Sequence, residues 1–141
     1  MILGFTGTRA GLTPAQQAAF PRVIAAYPTV FIHGGAPGAD EWADAYFAVG
    51  CTGTCIEVYP TGDARHCYWL GQRGPREVHP PRAPLTRNRI IAERCDHLLA
   101  CPATLTEILR SGTWATVRYA RAAGKPIPLL LPAGTVVEER R

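Results

Sequence analysis

Short apolar runs alternate along the chain with longer segments in which apolar residues recur at helical spacing. The runs predict five strands, at Ile2 to Phe5, Thr29 to His33, Cys55 to Tyr59, His97 to Cys101 and Pro126 to Leu131. The periodic segments predict four helices, from Pro14 toward Tyr27 and at Ala39 to Val49, Leu85 to Arg94 and Ser111 to Ala123. Strands that alternate with helices are typical of parallel sheets with crossover connections. We therefore predict an α/β fold, a Rossmann-like doubly wound sheet of about five mainly parallel strands in three α/β/α layers.

Two parts of the chain lack this alternation. Residues 60–84 contain five prolines and predict a long loop, because proline interrupts both helices and sheets. Residues 133–141 predict a C-terminal tail. With 141 residues the chain fits one domain, which we place at residues 1–132.

Positive charge is concentrated in one quarter of the sequence. The net charge is +4, and residues 60–94 alone contain seven arginines against three acids. Such an excess attracts an anionic ligand or a nucleic-acid backbone, although a solvated basic loop is the alternative interpretation. Tyr68 and Trp69 lie among these arginines, where they could stack on bases or pack the loop against the domain.

Cysteine usage and hydropathy favour a cytoplasmic protein. The five cysteines are an odd number, which argues against a secreted disulfide framework, and most of them are expected to be small buried apolar residues. Cys51, Cys55, His66 and Cys67 could surround zinc, but their spacing matches no common zinc site. No apolar run approaches the roughly 20 residues of a membrane span. We predict no metal, no cofactor and no membrane partner.

Two glycine-bearing corners lie between a predicted strand and a predicted helix, Gly34 to Asp40 (GGAPGAD) and Arg110 to Thr113 (RSGT). Glycine allows a tight turn and a close backbone approach, and the N-terminus of the following helix favours an anion. The sequence therefore predicts that main-chain amides of both corners bind one anionic group of a nucleotide-like molecule.

Side chains near the predicted strand ends extend this candidate site. Arg87 could clamp a phosphate, Asn88 could bond a base or ribose edge, and Asp40 could bond a ribose hydroxyl. Each has a structural alternative, since Asp40 and Ser111 could cap helices and the arginines could pair with surface acids. The predicted ligand-binding residues are Thr6, Gly7, Thr8, Arg9, Gly34, Gly35, Gly38, Ala39, Asp40, Arg87, Asn88, Ser111, Gly112 and Thr113.

The order of these motifs resembles the SLOG superfamily, which joins the DNA-processing protein DprA with the LONELY GUY nucleotide hydrolases. The resemblance covers nearly the whole chain: a Gly-Thr-Arg turn after the first strand, GGAPGAD, Arg87-Asn88, and Ser111-Gly112-Thr113 before the last helix. It implies a Rossmann-like sheet that binds a nucleotide, a nucleotide derivative or single-stranded DNA, in a chain that forms a homodimer.

The resemblance leaves catalysis open. LONELY GUY enzymes release a base from a nucleoside monophosphate, with an arginine that matches Arg87 and a glutamate whose position falls at Thr116. A threonine cannot supply a carboxylate, so Asp40 or Glu107 would have to replace it. The leading hypothesis is a sensor or carrier of a nucleotide-like ligand. The alternatives are an N-glycosidic-bond hydrolase or transferase with Arg87, Asp40 and Glu107 as catalytic candidates, and a DprA-like binder of single-stranded nucleic acid.

Overall fold

The computed structural model describes residues 1–24, 27–50, 53–62 and 76–139. Within these ranges the strands are β1 (Ile2–Gly7), β2 (Val30–His33), β3 (Cys55–Val58), β4 (Glu77–Val78), β5 (His97–Cys101), β6 (Ile127–Leu130) and β7 (Val136–Glu139). The helices are α1 (Pro14–Val23), α2 (Ala39–Gly50), α3 (Pro84–Arg94) and α4 (Gly112–Ala122). These elements confirm the predicted α/β class and the predicted alternation.

The strands form one sheet in the order β4-β3-β2-β1-β5-β6-β7, parallel except for β7, which pairs antiparallel with β6. The chain moves outward from β1 to β4 and then returns to place β5 on the other side of β1. The direction of winding thus reverses between β1 and β5, and ligands in doubly wound sheets bind at this switch point, outside the carboxyl ends of the strands.

Helices cover both faces of the sheet, which confirms the three layers. Phe5, Phe31 and Leu99 point to the face where α1 and α2 pack, and a cluster of aromatic rings centred on Phe20 fills that side. Ile32 and Leu98 point to the opposite face, against α3 and α4. Successive strand residues alternate between the two cores, as the pleat of a strand requires.

The sheet has two strands more than predicted, one at each edge. β4 has two residues, too short for a periodic signal, and it lies inside the predicted loop 60–84. β7 lies inside residues 133–141, so this segment is a sheet edge rather than only a tail. Its residues are largely exposed, and the strand therefore lacks the apolar pattern that predicts burial.

Helix α1 is shorter than predicted. It begins at Pro14, where Thr13 and Gln16 form a capping box, and it ends at Val23 rather than near Tyr27. Pro21 lies inside the helix, where it cannot donate to the Gln17 carbonyl, and the last bond of the helix runs from the Ile24 N–H to the Phe20 carbonyl. No helix of the described residues is long and apolar enough to cross a membrane.

Candidate functional site

A cavity of about 440 Å³ opens at the switch point between β1 and β5. Its volume lies within the range of small-molecule sites. The fold therefore brings most of the predicted ligand-binding residues together, and those that line the cavity are Thr6, Gly7, Thr8, Arg9, Gly34, Asp40, Arg87, Asn88, Ser111, Gly112 and Thr113.

Gly35, Gly38 and Ala39 are not among the lining residues, and Gly38 has a packing role instead. Its φ is +83°, and a Cβ there would lie 2.3 Å from the carbonyl oxygen of Arg9. The absence of a side chain lets α2 begin against the turn after β1, where the Ala39 N–H donates to the Thr8 carbonyl at 3.1 Å. Gly38 thus fixes two walls of the pocket relative to each other.

The amides of the first corner have acceptors within the protein. The N–H groups of Gly34 and Ala36 each donate to Asp40 Oδ2 at 3.2 Å, and the Gly35 N–H donates to His33 Nδ1 at 2.9 Å. These three amides of the first corner are therefore not open to an anion, contrary to the prediction. The physical reason is that a buried carboxylate and a buried imidazole compete successfully for amides within reach.

Arg87 binds strand-end carbonyls from inside the pocket wall. Its Nη1 donates to the Gly34 carbonyl at 2.6 Å and to the Tyr59 carbonyl at 3.2 Å. A Cβ on Gly34 would lie 2.1 Å from this Nη1, so the close approach requires glycine. Arg87 thereby holds the ends of β2 and β3 together while it lines the cavity.

Asn88 presents an amide group to the pocket. Only 8% of the residue is exposed, and its Oδ1 accepts a hydrogen bond from Arg87 Nε at 2.8 Å. Because a guanidinium only donates, this contact assigns the other amide atom as Nδ2. Nδ2 lies 3.9 Å from the position of a Cβ on Gly112 and makes no hydrogen bond with any residue of the described ranges.

The N-terminus of α4 lies beside Asn88. Ser111 caps the helix by accepting the Trp114 N–H at 3.2 Å, whereas the N–H groups of Gly112 and Thr113 have no acceptor among the described residues. With Asn88 Nδ2 they form what we call the donor side of the pocket. A helix N-terminus carries partial positive charge, so the donor side favours an anion.

Asp40 forms the acceptor side of the pocket. The residue is 6% exposed, and its Oδ2 accepts both corner amides, whereas Oδ1 makes no hydrogen bond to a described residue. Burial raises the pKa of this carboxyl above its ordinary value, although His33, Arg87 and the two amides act in the opposite direction. A buried acceptor of this kind favours a hydroxyl or amino group of a ligand.

The other catalytic candidates lie elsewhere. Glu107 is not a lining residue and instead bonds Arg121 and Arg118, each at 3.0 Å, which lowers its pKa. Thr116, at the position of the LONELY GUY glutamate, is buried and donates its hydroxyl to the Gly112 carbonyl at 2.9 Å. Asp40 is thus the one carboxylate among the lining residues of this cavity in the described part of the chain.

The turn after β1 forms the floor of the pocket. A Cβ on Gly7 would lie 2.5 Å from the Cβ of Ala39, so this glycine allows α2 to pack against β1. The hydroxyl of Thr8 accepts the Ala10 N–H at 3.1 Å, which shapes the turn. Thr6 and Arg9 line the cavity from the same segment.

Several lining residues escaped the sequence analysis. Leu85, Ile91, Ala103 and Ile108 give the cavity apolar walls, and Arg110 adds a cation at the rim. Arg110 belongs to the second corner, although it was not among the predicted ligand-binding residues, so its position in the sequence was a usable signal. The apolar residues come from α3 and the loop after β5, and only the tertiary structure brings them to the site.

A second cluster could in principle hold a cation. Oxygen or nitrogen atoms of Glu57, Glu77 and His79 lie within 4.8 Å of one another. Arg94, however, donates to both carboxylate oxygens of Glu57, at 3.1 and 2.8 Å. A metal would have to displace this guanidinium, so the cluster is better described as an ion-pair network.

Some predictions lie outside the described residues. These are the stacking role of Tyr68 and Trp69, most of the arginine-rich loop, and the Cys51, His66 and Cys67 part of the zinc alternative. Among the described cysteines, Cys95 and Cys101 are buried as predicted and Cys55 is exposed.

Comparison with known proteins gives no relative for this chain. No protein-family model, no curated protein and no solved structure matches it.

Proposed function

We propose that this chain binds a nucleotide or a nucleotide-derived molecule and acts as a sensor or carrier of that ligand. The observation that carries the proposal is a single pocket with two buried polar groups of opposite kind, Asn88 on the donor side and Asp40 on the acceptor side. Asn88 Nδ2 and Asp40 Oδ1 have no hydrogen-bond partner among the described residues, and neither is a fully buried atom, so both are accessible from the pocket. A ligand that bonds both would replace their contacts with water by direct hydrogen bonds, each of which contributes about 0.5–1.5 kcal/mol.

The chemistry of the pocket supports a sugar phosphate. An anionic group fits the donor side, where the open amides of Gly112 and Thr113 and the Asn88 amide lie together. A hydroxyl or amino group fits the Asp40 oxygen, and the apolar walls at Leu85 and Ile108 suit a base. A nucleotide carries all three features in one molecule.

We also propose that the chain is a stand-alone member of the SLOG superfamily. The support is the order of its motifs together with a doubly wound sheet that gathers those motifs at the switch point. A homodimer is part of this proposal, and the exposed side chains of Leu85 and Leu109, which line one cavity beside α4, support it. Native mass spectrometry of freshly purified protein would report the subunit number and any retained metabolite together.

Calorimetric titration with nucleoside mono-, di- and triphosphates tests the ligand class. Adenosine and inorganic phosphate, tested separately, each satisfy only one part of the pocket. We expect at least one nucleotide to bind about tenfold more tightly than its nucleoside, because a hydrogen bond to a charged group contributes about 1.5–3 kcal/mol. Equal affinity for every nucleotide and its nucleoside, or no binding of any nucleotide, would contradict the proposal.

The matched variant is Asn88→Asp, which keeps the acceptor for Arg87 Nε and replaces the two donor hydrogens with a charged oxygen. We expect AMP binding to weaken by about tenfold or more, because a carboxylate repels the phosphate. Adenosine, which has no phosphate, serves as the control ligand and should be affected much less.

An N-glycosidase acting on a nucleoside monophosphate is the second candidate, and the raised pKa of Asp40 favours it. A carboxyl whose pKa is raised by burial holds its proton more readily than an exposed one, as an acid that protonates a leaving base must. If the chain is such an enzyme, free base accumulates from AMP, and Asp40→Asn stops its release. Glu107→Gln is the control, since Glu107 lies outside the cavity, and it should leave the rate unchanged.

A single-stranded nucleic-acid binder remains the third hypothesis, and the residues on which it mainly depends lie outside the described ranges. Salt dependence separates it from the other two. Oligonucleotide binding should weaken steeply with salt, in proportion to the phosphates neutralised, whereas a mononucleotide should show a shallow dependence.

A further inference from the structure

A chain of buried hydrogen bonds leads from the start of β4 to the first glycine corner. Arg76 donates to both carboxylate oxygens of Asp44, at 2.8 Å from Nε and 2.5 Å from Nη2. Asp44 Oδ2 lies 2.8 Å from His33 Nε2, and His33 Nδ1 accepts the N–H of Gly35. The side chains of His33 and Asp44 are fully buried and that of Arg76 is 4% exposed.

The direction of these bonds assigns the tautomer of His33. A backbone N–H can only donate, so Nδ1 must carry a lone pair toward Gly35. The imidazole proton is then on Nε2, where it donates to Asp44. Burial by itself would raise the pKa of Asp44, but the hydrogen bonds from His33 and Arg76 outweigh it and hold that pKa at about 2.

The charged groups near His33 explain why Arg76 matters. Asp40 and Asp44 face it from α2, Arg76 lies on the far side of Asp44, and the ring of Phe31 packs beside it. Without Arg76, Asp44 would lose two of the three side-chain hydrogen bonds that hold it among the described residues. A carboxylate released in this way can turn away from His33 Nε2, and the imidazole then loses the partner that orients Nδ1 toward the Gly35 N–H.

We infer that Asp44 and Arg76 are positioning residues of the pocket. They keep His33 in the Nε2–H tautomer, so that its Nδ1 accepts the Gly35 N–H. This bond fixes the first corner, whose Gly34 and Ala36 amides donate to Asp40. The inference about the corner stands on the hydrogen bonds alone. Its consequence for affinity rests on the proposed function, because it requires a ligand at Asp40.

The test is Arg76→Gln, compared with wild type and with Arg94→Gln. Arg94 also donates twice to one buried carboxylate, that of Glu57, but it makes no direct contact with the first corner in the described part of the chain, so it is a matched control. Arg76→Lys, which restores the charge, tests rescue. Two measurements need no ligand: imidazole ¹⁵N shifts of His33 and amide hydrogen exchange at residues 34–36.

We expect wild-type His33 to carry its hydrogen on Nε2, with Nδ1 as the acceptor. In Arg76→Gln its ¹⁵N shifts should move toward a mixture of the two tautomers, and exchange at residues 34–36 should accelerate by about tenfold, the equivalent of one hydrogen bond. Arg76→Lys should restore most of the protection, and Arg94→Gln should leave it unchanged. An Nδ1–H tautomer in the wild type would overturn the inference even if the variants do not fold.

Titration with AMP completes the experiment. If AMP binds the wild type, Arg76→Gln should weaken that binding by about tenfold. Unchanged affinity in a variant with accelerated exchange would overturn the link to the pocket. Absence of AMP binding to the wild type would count against the proposed function, while the exchange and ¹⁵N measurements would still decide the positioning of the corner.

Discussion

Gly112→Val separates the role of the α4 N-terminus in binding from its role in folding. A Cβ at this position would have one neighbour within 4 Å, Asn88 Nδ2 at 3.9 Å, and the backbone does not have a positive φ. Nothing in the packing of the described residues therefore requires glycine here. The Cα–Cβ bond of a helical residue tilts toward the helix N-terminus, so the valine methyl groups would project into the space an anion would occupy.

The expected size of the effect follows from the two open amides. If both Gly112 and Thr113 donate to an anionic ligand, each hydrogen bond to a charged group contributes about 1.5–3 kcal/mol. Blocking both should therefore weaken binding by about 3 kcal/mol or more, on the order of a hundredfold in Kd. The free energy of unfolding should change by less than about 1 kcal/mol, because valine has a higher helix propensity than glycine and meets no close contact.

Calorimetric titration with AMP and urea unfolding measure the two quantities on the same preparations. Gly50→Val is the control, since Gly50 is also helical and a Cβ there has no neighbour within 4 Å among the described residues. It should leave the affinity unchanged. A folded Gly112→Val protein that binds AMP as tightly as the wild type would refute the placement of the phosphate at α4.

Three further substitutions test the acceptor side and its supports. Asp40→Asn can keep both corner amides on its carbonyl oxygen but turns an NH₂ group toward the pocket. The affinity of a hydroxyl-bearing ligand should therefore fall by about tenfold in a titration. The melting temperature should not fall, because the substitution removes a buried charge. In Gly34→Ala the new methyl group displaces the Arg87 guanidinium, which loses its hydrogen bonds to the Gly34 and Tyr59 carbonyls. The free energy of unfolding in urea should fall by about 2 kcal/mol. An unchanged value would show that the guanidinium relocates without cost. The pKa of Asp44 is about 2 in the folded protein and 3.8 in the unfolded chain. Its contribution to the free energy of unfolding is therefore complete above pH 3.8 and is lost as the pH falls toward 2. Urea unfolding at pH 7, 4 and 2.5 should therefore show a decline for the wild type that is smaller for Asp44→Asn, and parallel declines would contradict this reasoning.

Local sequence signals were sufficient for most of the fold. Apolar runs and helical spacing identified five strands and four helices, because each buries a continuous face and burial imposes a periodic pattern. The edge strands β4 and β7 gave no such signal, since two residues have no period and β7 is largely exposed. The glycine corners could be identified because both follow apolar strands. The carboxyl ends of these strands must meet at one edge of a parallel sheet.

The sequence by itself determined that GGAPGAD, Arg87-Asn88 and Ser111-Gly112-Thr113 would gather at one edge of the sheet, since alternation of strands and helices implies that geometry. Only the tertiary structure decided which amides remain open there. The first corner donates its amides to Asp40 and His33, whereas the amides of Gly112 and Thr113 have no acceptor among the described residues. The physical reason is that hydrogen bonds at the site join groups far apart in the sequence, and a few ångströms of packing decide whether an amide finds a protein acceptor or remains available to a ligand.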